Sequence, residues 1–243
     1  MRFFKAFSVI VALLFILPVQ AKRIALVMGN DNYTSVSKLQ KAGNDATAMA
    51  RELKAAGFTV QLHKDLNYRG MVRAVEAFTN NITGGDEVVV FFAGHGVQIR
   101  NGSYLLPTDI EANSESEVEK TAYELLALTD KISEAKPAFS LVMVDACRDN
   151  PALSKSLSKG RGAFRGGLAA AKSSSDDLGS LFIAYATDSG NVALDGEGQK
   201  NSPFTKALLK YIKQPISIDD MFSLVTREVR LSTKNAQRPY KYA

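Results

Sequence analysis

Reactive side chains are scarce in this 243-residue chain: it holds one cysteine, two histidines and no tryptophan. A single cysteine, Cys147, excludes an internal disulfide, so the fold must rest on a packed core. It also excludes a redox thiol pair, because no partner cysteine exists. After the first 21 residues no long apolar run occurs, which leaves no second membrane-span candidate. Apart from an acidic stretch over 111–119 and a basic one over 151–175, charge of one sign is not concentrated. The formal charge of +5 drops to +3 when Arg2 and Lys5 are set aside, too little to indicate nucleic acid as a partner. Hydrophobic residues make up 46% and charged residues 23%, which fits an ordinary globular domain and not a disordered chain.

Residues 1–21 read as a targeting segment. Arg2 and Lys5 give a positive start, residues 7–17 are apolar apart from Ser8, and Val19-Gln20-Ala21 resembles a cleavage site. The run is short of the roughly 20 residues that a membrane anchor needs, so the expectation is a secretory signal peptide removed after Ala21. No cysteine follows it, which excludes a lipoprotein. Residues 22–243 are then a single domain, exported to the periplasm or outside the cell, with no membrane contact after processing.

The mature chain opens with a strand over 23–28 (RIALVM) and the turn-rich Gly29-Asn30-Asp31-Asn32-Tyr33. A helix follows, capped by Asn44 or Asp45, and then a strand over 58–62. Asn67 opens the next helix, and residues 87–93 (EVVVFFA) form a central strand ending at Gly94-His95-Gly96. That alternation of strand and helix predicts a parallel sheet covered on both faces. A small hairpin is expected around 101–107, a solvated acidic loop over 111–119, and a helix over 121–134. Residues 151–175 are rich in Ser, Lys, Gly and Arg, which predicts an exposed, mobile loop. A strand over 180–186, a polar loop over 190–201, a helix opened by Ser202-Pro203 and an amphipathic helix over 218–231 complete the chain.

The chemistry gathers at two strand ends. Residues 141–144 (LVMV) read as a buried strand, and polarity changes abruptly at Asp145-Ala146-Cys147-Arg148-Asp149. In an open α/β sheet the C-terminal strand ends are where active sites form. His95 has glycines on either side, which would let the backbone bend and approach a substrate. His63, beside Lys64 and Asp65, reads as a solvated residue. Alone, Cys147 could be a small buried hydrophobe and His95 a turn residue. Together they fit a Cys–His dyad.

Five segments in order carry a family resemblance: 25–30 (ALVMGN) with Tyr33, 42–46 (AGNDA), 91–96 (FFAGHG), 145–148 (DACR) and 185–187 (YAT). The chain resembles the caspase-like cysteine peptidases, in their metacaspase, paracaspase and bacterial branches. The 52-position separation of His95 and Cys147 belongs to that resemblance. The resemblance implies a caspase–haemoglobinase fold, a three-layer α/β sandwich with a mostly parallel six-stranded sheet. It implies Cys147 as nucleophile, His95 as general acid/base, and the backbone N–H groups of Gly96 and Cys147 as oxyanion hole. It also puts Asp45 and Asp145, and less securely Asp195, in the primary substrate pocket. Carboxylates there attract a basic side chain, so cleavage is expected after arginine, with lysine as a further candidate, and not after aspartate. The lesser alternative for Asp45 is a helix cap, and one side chain could do both. Asp149-Asn150 after Arg148 departs from the pattern of the relatives.

The partner implied is a polypeptide with a basic residue before the cleaved bond. No cofactor is expected; calcium activation enters by family analogy only, since no dense acidic ligand pattern occurs. The competing function is a catalytically silent caspase-fold scaffold. The loop over 151–175 carries Lys155, Lys159, Arg161, Arg165 and Lys172, all suited to self-cleavage by an enzyme of this specificity. One intact-mass measurement on exported protein tests both processing events. The expected chain begins at Lys22 and shows fragments ending at basic residues of 151–175 that Cys147→Ala lacks. Identical fragments in both proteins would point to a foreign protease, and retention of residues 1–21 would refute signal removal.

Overall fold

A computed structural model of the chain describes residues 21–99, 102–147, 180–187 and 198–242. The expected signal peptide up to residue 20, the basic loop over 151–175 and Asp195 lie outside these residues.

The sheet is built from β1 (Arg23–Gly29), β2 (Thr59–Lys64), β3 (Glu87–Ile99), β6 (Phe139–Cys147), β7 (Ser180–Tyr185) and β8 (Tyr240–Tyr242), in spatial order β2-β1-β3-β6-β7-β8. Neighbours are parallel except for β8, which runs antiparallel to β7. Two short strands, β4 (Gly102–Leu105) and β5 (Tyr123–Glu124), extend the far end of β3 in antiparallel pairs. The helices are α1 (Ala42–Ala55), α2 (Tyr68–Thr79), α3 (Glu115–Thr121), α4 (Leu125–Glu134), α5 (Pro203–Tyr211) and α6 (Ile218–Ser232). This is the mostly parallel, helix-flanked sheet expected from the sequence.

Alternation along the strands sorts the core into two layers. Val89, Phe91, Leu141, Met143 and Phe182 face α1, α5 and α6, where Leu53, Phe204, Phe222 and Val225 meet them. Val88, Val90, Phe92, Val142, Val144 and Ile183 face α2 and α4, meeting Val75, Phe78, Leu128 and Ile132. Burial of each such side chain stabilises the fold by about 1.5–3 kcal/mol. At the N-terminal edge, buried Asp86 ties three strands together. Its carboxylate accepts the Lys22 N–H (2.8 Å) and the Thr83 N–H (2.8 Å), and its carbonyl accepts the Ala138 N–H (2.9 Å). Burial raises the Asp86 pKa, but the donors on its carboxylate, from Lys22 and Thr83, outweigh it and hold the group below the ordinary carboxylate value.

Four local readings change. Helix α1 starts at Ala42, and Asp31 satisfies its first N–H groups, accepting from Ala42 (2.9 Å) and Gly43 (2.8 Å). Asp45 lies within the first turn and is not the cap. The acidic 111–119 segment is not simply a loop, because Ser114 caps α3 by accepting from the Glu117 N–H, and Val118 is fully buried. The expected helix over 121–134 is interrupted by β5 and starts at Leu125. His63 lies on β2 and is half-buried, not solvated; burial lowers its pKa.

A fifth difference concerns His95. Gly94-His95-Gly96 is no turn: β3 runs through it to Ile99, and His95 pairs in register with Cys147. Gly94 is there for want of space, since a Cβ would sit 2.7 Å from both Phe92 Cζ and Tyr33 Oη. Gly94→Ala should therefore destabilise the fold by about 1–3 kcal/mol, by overpacking. A thermal or denaturant melt checks this, and an unchanged midpoint would show that Phe92 and Tyr33 yield freely.

Candidate active site

The sheet fixes His95 and Cys147 by backbone pairing. They are Cα partners at the C-terminal ends of adjacent parallel strands, about 4.8 Å apart in the pairing direction. His95 is 4% exposed, and a loop between β1 and α1 holds it on two sides. Its backbone N–H donates to Tyr33 Oη (2.8 Å), and the Tyr33 hydroxyl donates to the Leu106 carbonyl (3.2 Å). The two rings are tilted at 51° with centroids 4.5 Å apart. Burial raises the Tyr33 pKa far above its usual value, so the phenol remains a neutral donor.

The imidazole Nε2 lies 2.8 Å from the Ser37 carbonyl oxygen. A carbonyl only accepts, so this contact places a proton on Nε2 and leaves Nδ1 as the basic nitrogen. The loop bearing Ser37 is pinned at both ends. Asp65 accepts from the N–H groups of Asp31 (2.8 Å) and Asn32 (2.9 Å) and from Asn32 Nδ2 (2.7 Å). Burial works against the Asp65 charge, but those donors win and lower its pKa. At the other end, the Leu39 N–H donates to the Asp31 carbonyl at 3.0 Å.

The same edge brings Asp45 and Asp145 together. Asp145 continues the face of β6 that carries Leu141 and Met143, toward α1 and α5. Both acids are buried, at 2% and 7% exposed, and both bond to the N-terminus of α5. Asp45 accepts from Asn201 Nδ2 (2.7 Å) and from the Ser202 N–H (3.2 Å). Asp145 accepts from the Thr205 hydroxyl (2.6 Å) and from the Ser202 hydroxyl. Ser202 is also the cap of α5, accepting the Thr205 N–H at 3.0 Å. Burial first, and then the Asp145 charge, push the Asp45 pKa up to about 8. An entering guanidinium or ammonium would relieve that repulsion, whereas an entering carboxylate would add to it.

Of the residues singled out in the sequence, the structure gathers His95, Gly96, Cys147, Asp45 and Asp145 at one sheet edge; Asp195 lies outside the described residues. Sequence reasoning missed Ser37, Asn201 and Thr205. The first acts through its backbone, and the other two sit far along the chain from the acids they touch. Tyr33 was visible as a motif residue without a role. Among the described residues no cluster of three or more histidine, cysteine or acidic side chains could hold a metal ion.

This sheet, with imidazole- and thiol-bearing strands side by side, defines the caspase–haemoglobinase class of fold. The chain belongs to the caspase domain family: the family profile matches residues 22–243, the whole of the expected mature chain. It is thus a caspase-like peptidase domain, as the sequence resemblance implied. It is 27% identical over 131 residues to human mucosa-associated lymphoid tissue lymphoma translocation protein 1, covering 54% of this chain and 16% of that protein. The mouse homologue is 26% identical over the same length, covering 54% and 15%. The chain thus spans only a small part of the curated relatives it matches. Protein GSU0716 from Geobacter sulfurreducens, a crystal structure, superposes with a TM-score of 0.65 at 17% identity, covering 91% of this chain and 92% of that one. That likeness concerns the fold.

The raised Asp45 pKa sets a stability dependence. Between the ordinary carboxylate pKa of 3.8 and about 8, the native state binds more protons at this position than the unfolded chain does. Stability from this group is therefore present at low pH and lost as pH rises toward 8. Asp45→Asn keeps the acceptor for Asn201 and Ser202 without the charge. Its melting temperature should gain on wild type as pH rises from 5 to 8, in parallel scans. A difference that does not change with pH would remove the charge conflict.

Proposed function

We propose that the protein is a cysteine-type endopeptidase, working outside the cytoplasm after loss of residues 1–21, which cleaves peptide bonds after arginine and lysine. The observation that carries the reading is the register pairing of His95 with Cys147, with Nε2 of His95 engaged by Ser37. The Cys147 thiol passes its proton to Nδ1 of His95, and the thiolate attacks the substrate carbonyl carbon. The oxyanion takes hydrogen bonds from the backbone N–H groups of Gly96 and Cys147. Imidazolium then protonates the leaving amine, the peptide bond breaks, and a thioester remains. His95 next draws a proton from water, whose oxygen attacks the thioester, and the thiol is regenerated.

Asp45 and Asp145 supply the choice of side chain. Their carboxylates are buried, hydrogen-bonded and mutually repelling, which supports a cationic ligand and disfavours an acidic one. The ion attracted best is arginine, whose planar fork meets two carboxylates at once.

Fluorogenic peptides ending in arginine, lysine or aspartate test the reading, with Cys147→Ala as control. Cleavage after arginine and lysine is expected, absent in Cys147→Ala, and reduced about a hundredfold or more in kcat/KM by Asp145→Asn. The KM for the arginine peptide should fall as pH rises toward 8, as Asp45 ionises, and Asp45→Asn should flatten that trend. Preference for aspartate would sink the pocket assignment. No turnover and no labelling of Cys147 by an arginine-based thiol reagent, in folded protein, would make the chain a scaffold.

A further inference from the structure

At the N-terminal edge of the sheet, opposite His95 and Cys147, a buried carboxylate lacks a close cation. Asp86 is 0% exposed. Its Oδ2 accepts from the Thr83 N–H (2.8 Å) and the Thr83 hydroxyl (3.0 Å), both uncharged donors. The cation beside it is Lys22 Nζ, 3.5 Å from Oδ2, on a side chain that is 39% exposed. That ammonium donates instead to the Asn81 carbonyl (2.6 Å), and the neighbouring Arg23 and Glu87 pair with each other (2.7 Å). A buried charge is stabilised by a counter-charge in hydrogen-bonding contact, which no side chain supplies here.

The other oxygen, Oδ1, meets the main chain. Among the described residues it accepts from one donor, the Lys22 N–H, at 2.8 Å. Lys22 is the residue that follows the expected processing point, and Ala21 before it is exposed. In the uncut chain this nitrogen is an amide with one hydrogen and no charge. A processing peptidase adds water across the Ala21–Lys22 bond, leaving a carboxylate on Ala21 and an ammonium on Lys22. The new charge is then carried by the very atom that already contacts Oδ1. The fold need not rearrange to receive it, because β1 begins at the next residue, Arg23.

We propose that Asp86 is the binding site for the α-ammonium group of Lys22 that removal of residues 1–21 creates. The proposal rests on the reading that the chain is processed after Ala21, and it is independent of peptidase activity. Processing converts a neutral hydrogen bond into a charge-assisted one on a buried carboxylate. The bond closes where the starts of three strands meet. The Asp86 carbonyl accepts the Ala138 N–H (2.9 Å), and the Lys22 carbonyl accepts the Glu87 N–H (2.8 Å). The domain thus reaches its full stability only as the mature chain, through a contact at the end of the sheet remote from the dyad.

The test compares the exported wild type with an exported variant that carries one threonine inserted between Ala21 and Lys22. Cleavage after Ala21 then leaves the α-ammonium one residue, about 3.8 Å, farther out and keeps an amide at Lys22. Intact masses first establish where each chain begins. The wild type is expected to melt about 4 °C or more above the insertion variant at about pH 6. An α-amino group ordinarily titrates near about 8, and pairing with Asp86 raises that value in the folded state. The advantage is therefore whole below about pH 8 and is lost as pH rises through the raised value. The other charged groups around the site, Lys22 Nζ, Arg23, Glu87 and Lys136 of the adjoining loop, are common to both proteins and cancel in the difference. Asp86→Asn should erase the difference between the two N-termini; if that variant does not fold, the insertion comparison stands with Asp86 in place. Equal melting of two chains both cut after Ala21, or a difference that does not change with pH, would overturn the proposal and leave the processing intact. A wild-type mass that does not begin at Lys22 would overturn the processing, and the proposal with it.

Discussion

The pairing of β3 with β6 is the constraint on which the rest depends. Nine consecutive partners run from Glu87 with Phe139 to His95 with Cys147, and most of the side chains between are buried in one of the two layers. A slip of one residue would turn every buried side chain of one strand to the wrong layer, so the register is held by the whole core. Asp86 fixes the same register from the opposite edge, gathering the starts of β1, β3 and β6. Two groups separated by 52 positions in the chain are thereby neighbours before any side-chain contact is considered. The functional edge inherits its accuracy from apolar packing that touches none of its chemistry.

The acids at that edge follow a different rule. They are not placed where charge is most stable, but where two elements converge on the N-terminus of α5. The helix end, with Ser202 and Thr205, offers donors that suit a buried anion. Burial first, and then the charge of Asp145, is why Asp45 binds protons so far above the ordinary range. A buried pair of acids of which one stays protonated near neutral pH would take up its second negative charge only once a cation sat beside it.

Much of this was legible in the chain. The strands β1, β3 and β6 announce themselves as apolar runs, Asn67 and Ser202 as caps, and the ordered motifs as a family. Gly94 misled because glycine reads as a breaker, whereas here it answers to the bulk of Phe92 and Tyr33. Residues 111–119 read as a loop because acidity outweighed a single apolar residue, Val118, which decides the matter by being buried. The contacts of Asp45 with Asn201 and Asp145 with Thr205 cross 156 and 60 positions, and no local pattern records them. The fold and the pairing of His95 with Cys147 are thus encoded locally and by periodicity, while the setting of the two buried acids is encoded only by the finished tertiary structure.

The partner of His95 at position 37 is a main-chain oxygen. Its identity is therefore independent of the side chain that residue 37 carries, and substitution there would leave the acceptor in place. What keeps the oxygen aimed at the ring is the pair of tethers at Asp31 and Asp65. Mutational sensitivity in this loop should thus be displaced from the atom that does the work to the residues that hold it, and a scan of side chains would map the scaffolding and overlook the contact.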